Sequence, residues 1–168
     1  MKKLKPCRLT LSTITNHRAF MLEKTNSSQA LDPVISARIR DCCQLGYQYY
    51  DNGEIKTAIR QFYTAWNLLP KPQTQWREAG WVLTALGDAY VKTGNFNSAR
   101  ESLTSALHCP DTQHNPVILF QLGCCQFELG NYHEAVLLFR QTIDCGGEKM
   151  FDKADKKYWA AVKQASPV

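Results

Sequence analysis

Seven cysteines and four histidines are the residues of this chain best equipped for chemistry. The cysteines are Cys7, the adjacent pairs Cys42-Cys43 and Cys124-Cys125, and the single residues Cys109 and Cys145. A tetrahedral zinc site or a dithiol redox centre needs thiols spaced so that both reach one point, most simply as CxxC. No such spacing occurs, so no metal and no cofactor is expected. A cysteine nucleophile would need a histidine within hydrogen-bond reach. His17, His108, His114 and His133 are scattered, and no Gly-rich phosphate loop, HExxH helix or GxSxG turn accompanies them. A Cys-His enzyme therefore stands as a distant alternative to a non-catalytic chain with no catalytic residues. The odd cysteine count points to reduced thiols and a cytoplasmic setting rather than a disulfide framework. Neighbouring residues on a helix diverge by about 100 degrees. Each pair should therefore send one member into the packing face and one elsewhere, with Cys43 and Cys124 as the accessible members.

The elements that carry these residues are set by a repeat. Gly46 and Gly53, Gly87 and Gly94, and Gly123 and Gly130 form three pairs with one spacing, each followed at one distance by an alanine: Ala58, Ala99 and Ala135. Aligned on the glycines, the segments LGYQYYDNGEIKTAIRQFYTAW, LGDAYVKTGNFNSARESLTSAL and LGCCQFELGNYHEAVLLFRQTI bring Leu45, Leu86 and Leu122 into register. Each reads as helix, turn, helix. The first glycine lies inside a helix where another helix approaches closely, and the second ends that helix in the left-handed region. Asn95 or Asn131 then stands in place to cap the next one. Phe62, Leu103 and Phe139 fall four residues beyond the alanines on the same face, as core. Asp32-Pro33 and Asn115-Pro116 each set a capping side chain before a proline, so the first and third units should begin there. In LPKPQTQWREAGW, Pro70 and Pro72 break the helix, and Thr74 is placed to cap a long one running through Trp76 to Lys92. After Gly146-Gly147, Phe151, Ala154, Tyr158 and Val162 recur at helical spacing, predicting a terminal helix with one apolar side and seven helices in all.

This pattern closely resembles the tetratricopeptide repeat, a helix-turn-helix unit of about 34 residues that stacks into a solenoid. The resemblance implies an all-α, right-handed α-solenoid. Its repeats would span about 33–72, 74–113 and 115–147, with a capping helix over about 148–165, in a domain covering 30–168. Spacings of 41 residues from Gly46 to Gly87 and 36 from Gly87 to Gly123 exceed the family length, so the first helices or the links are longer here. Tyr49 and Tyr90 match the family's aromatic position, whereas Gln126 stands there in the third unit, which reads as the least regular. The four histidines do not converge in this register.

Function in such a solenoid lies on the concave surface lined by the first helices. The family's groove positions fall on Arg40, Cys43, Tyr47 and Tyr50 in the first unit. They fall on Trp81, Thr84, Asp88 and Val91 in the second, and on Val117, Phe120, Cys124 and Phe127 in the third. The groove is aromatic rather than basic. Tyr47, Asp88 and Cys124 stand where family members that clamp a carboxylate would carry asparagine, so that clamp is missing. Such a groove suits a partner helix, extended segment or protein surface with apolar anchors, and Arg40 and Asp88 would set its orientation. The reading is a protein-binding adaptor from a bacterial source, a monomer or weak homodimer, with Trp81 as the strongest anchor. A type III secretion-like chaperone and a toxin-neutralising immunity protein are alternatives. A further alternative is that Tyr47, Tyr50, Trp81 and Phe120 are covered by the chain's own N-terminal segment or long linker.

Charge and hydropathy bound the other classes. The net charge of +5 comes from the first 24 residues, where six Lys or Arg face one acid, and the remainder is balanced. Residues 1–29 therefore read as a basic flexible tail, without the continuous apolar core of a signal peptide, and with Met21 as an alternative start. Nucleic-acid binding begins with a basic stripe that displaces counterions from phosphates. The balanced body argues against it. No apolar run approaches the roughly 20 residues of a membrane span, so no membrane association is expected.

Overall fold

The computed structural model describes residues 30–165. The basic tail, with Cys7 and His17, lies outside the described residues. From Leu31 onward the chain forms one compact unit. Among the described residues it contains seven α-helices: α1 Pro33–Asp51, α2 Ile55–Asn67, α3 Arg77–Lys92, α4 Phe96–Leu107, α5 Pro116–Glu128, α6 Tyr132–Asp144 and α7 Lys156–Gln164. Short 3-10 turns at Gln73–Gln75 and Glu148–Lys153 interrupt the links.

Local chemistry sets most of these boundaries. Asp32 Oδ1 accepts from the Val34 and Ile35 amides at 2.8 and 3.3 Å, with Pro33 opening α1, and Asn115 Oδ1 accepts from the Val117 amide at 2.9 Å, with Pro116 opening α5. Each capping side chain satisfies amide donors that have no partner within the helix. Gly53, Gly94 and Gly130 take φ of 82°, 73° and 83° after α1, α3 and α5. At each of these ends the residue after the glycine donates back into the last turn, Glu54 to the Tyr49 carbonyl, Asn95 to Tyr90 and Asn131 to Gln126. This is the left-handed glycine stop expected from the sequence. Asn95 caps α4 through the Ser98 amide at 3.3 Å, but Asn131 does not cap α6. Its side chain is diverted to Gln126 Oε1 at 2.8 Å.

Two other boundaries differ from the sequence reading. Thr74 caps nothing, because it lies within the 3-10 turn, and α3 starts only after Trp76, whose backbone is extended. The Trp76 indole donates to the Pro70 carbonyl at 2.8 Å, which holds the link closed and delays the helix. The long helix expected there is present, with 16 residues, and α1 has 19. The expected single terminal helix is two pieces. Phe151 sits in the 3-10 turn, Ala154 is extended, and Asp155 restarts the helix by accepting from the Lys157 amide at 3.0 Å.

Packing follows the glycine register. Helices pair as α1 with α2, α3 with α4 and α5 with α6, and the pairs stack through α2 on α3 and α4 on α5. Gly87 and Gly123 are buried where their helices meet their partners. A Cβ on Gly87 would stand 2.6 Å from Leu103, and one on Gly123 2.6 Å from Phe139, while Gly46 lies against Phe62 in the same way. Phe62, Leu103 and Phe139 are fully buried, and each contributes roughly 1.5–3 kcal/mol by leaving water. One apolar cluster runs from Leu31 to Leu138. A second, built on Cys124, Ala135, Phe139 and Phe151, closes the C-terminal end against Phe120, Phe127, Tyr158 and Val162.

Candidate functional site

The first helices of the three pairs lie side by side, α1 against α3 and α3 against α5. Arg40, Cys43, Tyr47 and Tyr50 recur along one side of α1, and Trp81, Thr84, Asp88 and Val91 along one side of α3, at spacings that keep them on a single helical face. Within the first two units the face is open. Tyr47 is 39% and Trp81 43% exposed, and Arg40 is exposed as well. Cys43, Tyr50, Thr84, Asp88 and Val91 are half-buried. Tyr47 packs edge-on against Phe62 at 5.3 Å and Tyr50 at 6.3 Å, so its ring is fixed at the base while its edge stays in water. Thr84 is occupied with the Gly80 carbonyl at 2.7 Å.

Asp88 is the electrostatic centre of this face. Burial raises its carboxyl above the ordinary value, with Lys92 pulling in the opposite direction. Burial, joined by the Asp88 charge, pushes the Tyr47 phenol up to about 12 and raises Tyr50 as well. Both phenols therefore remain hydrogen-bond donors at neutral pH. Gln121 of α5 donates to Asp88 Oδ1 at 3.0 Å, tying the third unit to the second. Gln121 was missed from the sequence because it lies one residue off the groove register, beside Phe120.

The third unit's positions are covered. Phe120 stacks at 4.9 Å on Phe151 and 6.3 Å from Tyr158, and Phe127 meets Tyr158 at 5.3 Å. Cys124 is 6% exposed beneath them. Only Val117 of this set is exposed, at 41%. The covering segment is the C-terminal one; the N-terminal segment, the other cover the sequence suggested besides the 68–76 link, lies outside the described residues. The C-terminal segment is fastened by Tyr158, which donates to Glu128 Oε1 at 2.6 Å, and by Lys157, which pairs with the same oxygen at 2.6 Å.

Cys124 was expected to be accessible, yet both members of its pair are buried, Cys125 in the main cluster and Cys124 in the terminal one. All six described cysteines are unpaired. Burial pushes the thiols of Cys43 and Cys109 up to about 11, and those of Cys124 and Cys125 to about 12, so thiolate is scarce at neutral pH. His108 is bound to the Thr104 carbonyl at 2.7 Å, and His114 and His133 are exposed. Among the described residues no cluster is suited to a metal ion, and no helix is long and apolar enough to cross a membrane.

The pairing and register just described are matched by two family profiles, both described as tetratricopeptide repeat, over residues 82–107 and 118–144. These two segments are tetratricopeptide repeats. Among solved structures, it is similar to the crystal structure of the Sgt2 TPR domain from Aspergillus fumigatus. The TM-score is 0.59 at 18% identity, covering 81% of this chain and 79% of that one. No curated protein sequence matches significantly. The profile matches fall on the second and third units, so the third, with Gln126 at the aromatic position, remains a recognisable repeat. The repeat family and the all-helical solenoid are those of non-catalytic protein–protein interaction modules.

Proposed function

We propose that the chain is a non-catalytic adaptor that binds a protein partner, as a helix, extended segment or surface, through the inner face of its first two repeats. One observation carries the reading. Tyr47 and Trp81 expose apolar surface there, and Arg40 and Asp88 flank it with opposite charges. Aromatic side chains held at their base and open at their edge are the usual anchors of an interface, and sparse charges fix orientation more than affinity. Cys43, Tyr50 and Thr84 line the same face. The C-terminal segment takes the share of Phe120, Cys124 and Phe127, so the proposed contact is centred nearer α1 and α3 than an even three-repeat groove would be. The six described cysteines are unpaired, which fits the reducing setting of a cytoplasmic protein.

The test is affinity capture from the native host with wild type and with a Trp81→Ala, Asp88→Ala variant, followed by affinity measurement with the recovered partner. Trp81→Ala alone should weaken that complex by about 2 kcal/mol, roughly thirtyfold, with helix content unchanged. Equal recovery and equal affinity in both forms would remove the inner face from the binding site.

A further inference from the structure

Asp88, at the centre of the inner face, lacks the partner that its chemistry calls for. Among the described residues no cation stands within ion-pair distance of it. Lys92, one turn further along α3 and exposed, acts on it only from a distance. Oδ1 accepts from Gln121 at 3.0 Å. Oδ2 accepts from no described residue and is not buried, so it can be reached from the face. Gln121 turns its amide nitrogen to the carboxylate, and its own Oε1 is thereby left buried without a donor. The polar side-chain atoms still unmatched at this point are both acceptors. The spot is short of hydrogen-bond donors and of positive charge.

The flank of the carboxylate towards α1 is aromatic. Tyr47 of α1 occupies the same repeat position as Asp88 of α3, and the Asp88 charge acts on the phenols of both Tyr47 and Tyr50. The two rings meet edge to face, with centroids 6.3 Å apart and planes at 67°, and Tyr47 is held from below by Phe62. An aromatic face is the negative part of the ring and attracts cations. Rings beside an unpaired, half-buried carboxylate suit an organic cation that sheds part of its water, an alkylammonium or a guanidinium. A divalent metal is poorly served here, because one carboxylate and one amide oxygen fall far short of the roughly six oxygen ligands that calcium or magnesium takes.

From this we infer that Asp88, Tyr47 and Tyr50 form a subsite for a basic side chain, a lysine or arginine that the partner inserts between α1 and α3. The inference rests on the inner-face reading and supplies the chemistry of the partner at its centre. The cationic head donates to Asp88 Oδ2, and its aliphatic stem lies along the Tyr47 ring. Trp81, about two turns before Asp88 on α3, takes an apolar side chain of the same segment.

The test selects random peptides displayed on phage against the full chain, in parallel with Asp88→Asn and Trp81→Ala variants whose folding is checked by circular dichroism. Peptides recovered on wild type should share a lysine or arginine beside apolar residues, and that enrichment should vanish on Asp88→Asn. One recovered peptide is then synthesised with its base and with glutamine in its place, and both are measured by fluorescence anisotropy. Losing the base should weaken binding to wild type by about tenfold and to Asp88→Asn by less than about twofold, the signature of a direct charge pair. The inference is overturned if the shared residue is neutral or acidic, if a base is enriched equally on Asp88→Asn, or if losing the base costs the same on both proteins. Such a result, with recovery still falling on Trp81→Ala, leaves the inner-face reading standing. No recovery on wild type, or recovery untouched by Trp81→Ala, removes that reading and the subsite with it. Recovered sequences that resemble the basic residues 1–24, and are displaced by a synthetic copy of them, would make the chain's own segment the occupant and overturn the inference as well.

Discussion

Phe151→Ala should release the C-terminal segment without unfolding the repeats. Phe151 is 7% exposed and packs against Phe120 at 4.9 Å, Trp159 at 5.0 Å and Phe139 at 5.4 Å. Truncating a phenylalanine in a closed core costs about 3–5 kcal/mol. Phe151 lies at the rim of its cluster, where Phe120 and Trp159 can lean into the space, so the lower figure of about 3 kcal/mol applies. Most of it should fall on local docking, because α7 is lightly packed on α6, whereas Phe120 and Phe139, which Phe151 covers, stay held by the α5–α6 pairing. At 1.4 kcal/mol per factor of ten, the population with the segment undocked rises roughly a hundredfold.

Cys124 reports that opening. It is 6% exposed beneath the segment, and burial holds its thiol up near 12. Undocking restores both access and an ordinary thiol pKa. Alkylation resolved by mass spectrometry should therefore accelerate by about two orders of magnitude at Cys124. Cys125, fully buried in the main cluster, should change little. Equal acceleration at both cysteines would mean that segment and repeats open as one unit. No acceleration at Cys124 would mean that Phe151 does not hold the segment down. Either result would refute the local account.

Gly123→Ala should destabilise the fold. The new methyl would stand 2.6 Å from the Phe139 ring, which is fully buried between Phe120, Phe151 and Tyr158 and has nowhere to move. Overpacking of about 1–3 kcal/mol then exceeds the roughly 1 kcal/mol by which alanine favours a helix over glycine. A higher melting temperature would contradict the close-approach role. Asp32→Ala removes the two accepted bonds that start α1 and should cost about 1 kcal/mol in urea melts. An unchanged midpoint would mean that water or another side chain replaces the cap. Asp88→Asn should stabilise the fold at neutral pH. Burial raises the folded-state carboxyl pKa, so the charged form is penalised in the fold. Stability should be greatest below the ordinary carboxylate range of about 4 and decline as pH rises through the folded value. The Asn variant should melt above wild type at pH 7 and converge with it in acid. A variant less stable at pH 7 would show that Lys92 and Gln121 more than offset the burial.

The repeat frame was legible because it is local and periodic. Gly46, Gly87 and Gly123 each demand a close partner, and the partner lies at a fixed distance down the chain. Asp32-Pro33 and Asn115-Pro116 act within one turn. What escaped depends on contacts between segments far apart or on competing side-chain bonds. Asn131 is a good capping residue, but its side-chain amide is turned to donate to Gln126 Oε1 and its oxygen caps no helix amide. Trp76 reads as a helix residue until its indole finds the Pro70 carbonyl. Cys124 sits at an open groove position in the repeat register and is closed only because Phe151 and Tyr158 fold back over it. No periodicity in the third unit could indicate that.

Asp88 bears most directly on the proposed function. The first and third units carry Tyr47 and Cys124 at the same register position, so the repeat does not require a carboxylate there. Its charge is disfavoured by burial. One oxygen is bound by Gln121, whose own Oε1 is buried without a hydrogen-bond partner among the described residues. Replacing a half-buried charge with a neutral group of similar shape is commonly neutral or favourable for folding. A residue that costs stability at a position the fold could fill more cheaply is expected where the chain meets something else. The proposed inner-face contact therefore predicts opposite signs in one variant: Asp88→Asn should raise thermal stability at pH 7 and weaken the complex with the captured partner. If stability rises while affinity is unchanged, Asp88 is an uncompensated cost with no role in that contact. The binding face would then be confined to the aromatic edge around Tyr47 and Trp81.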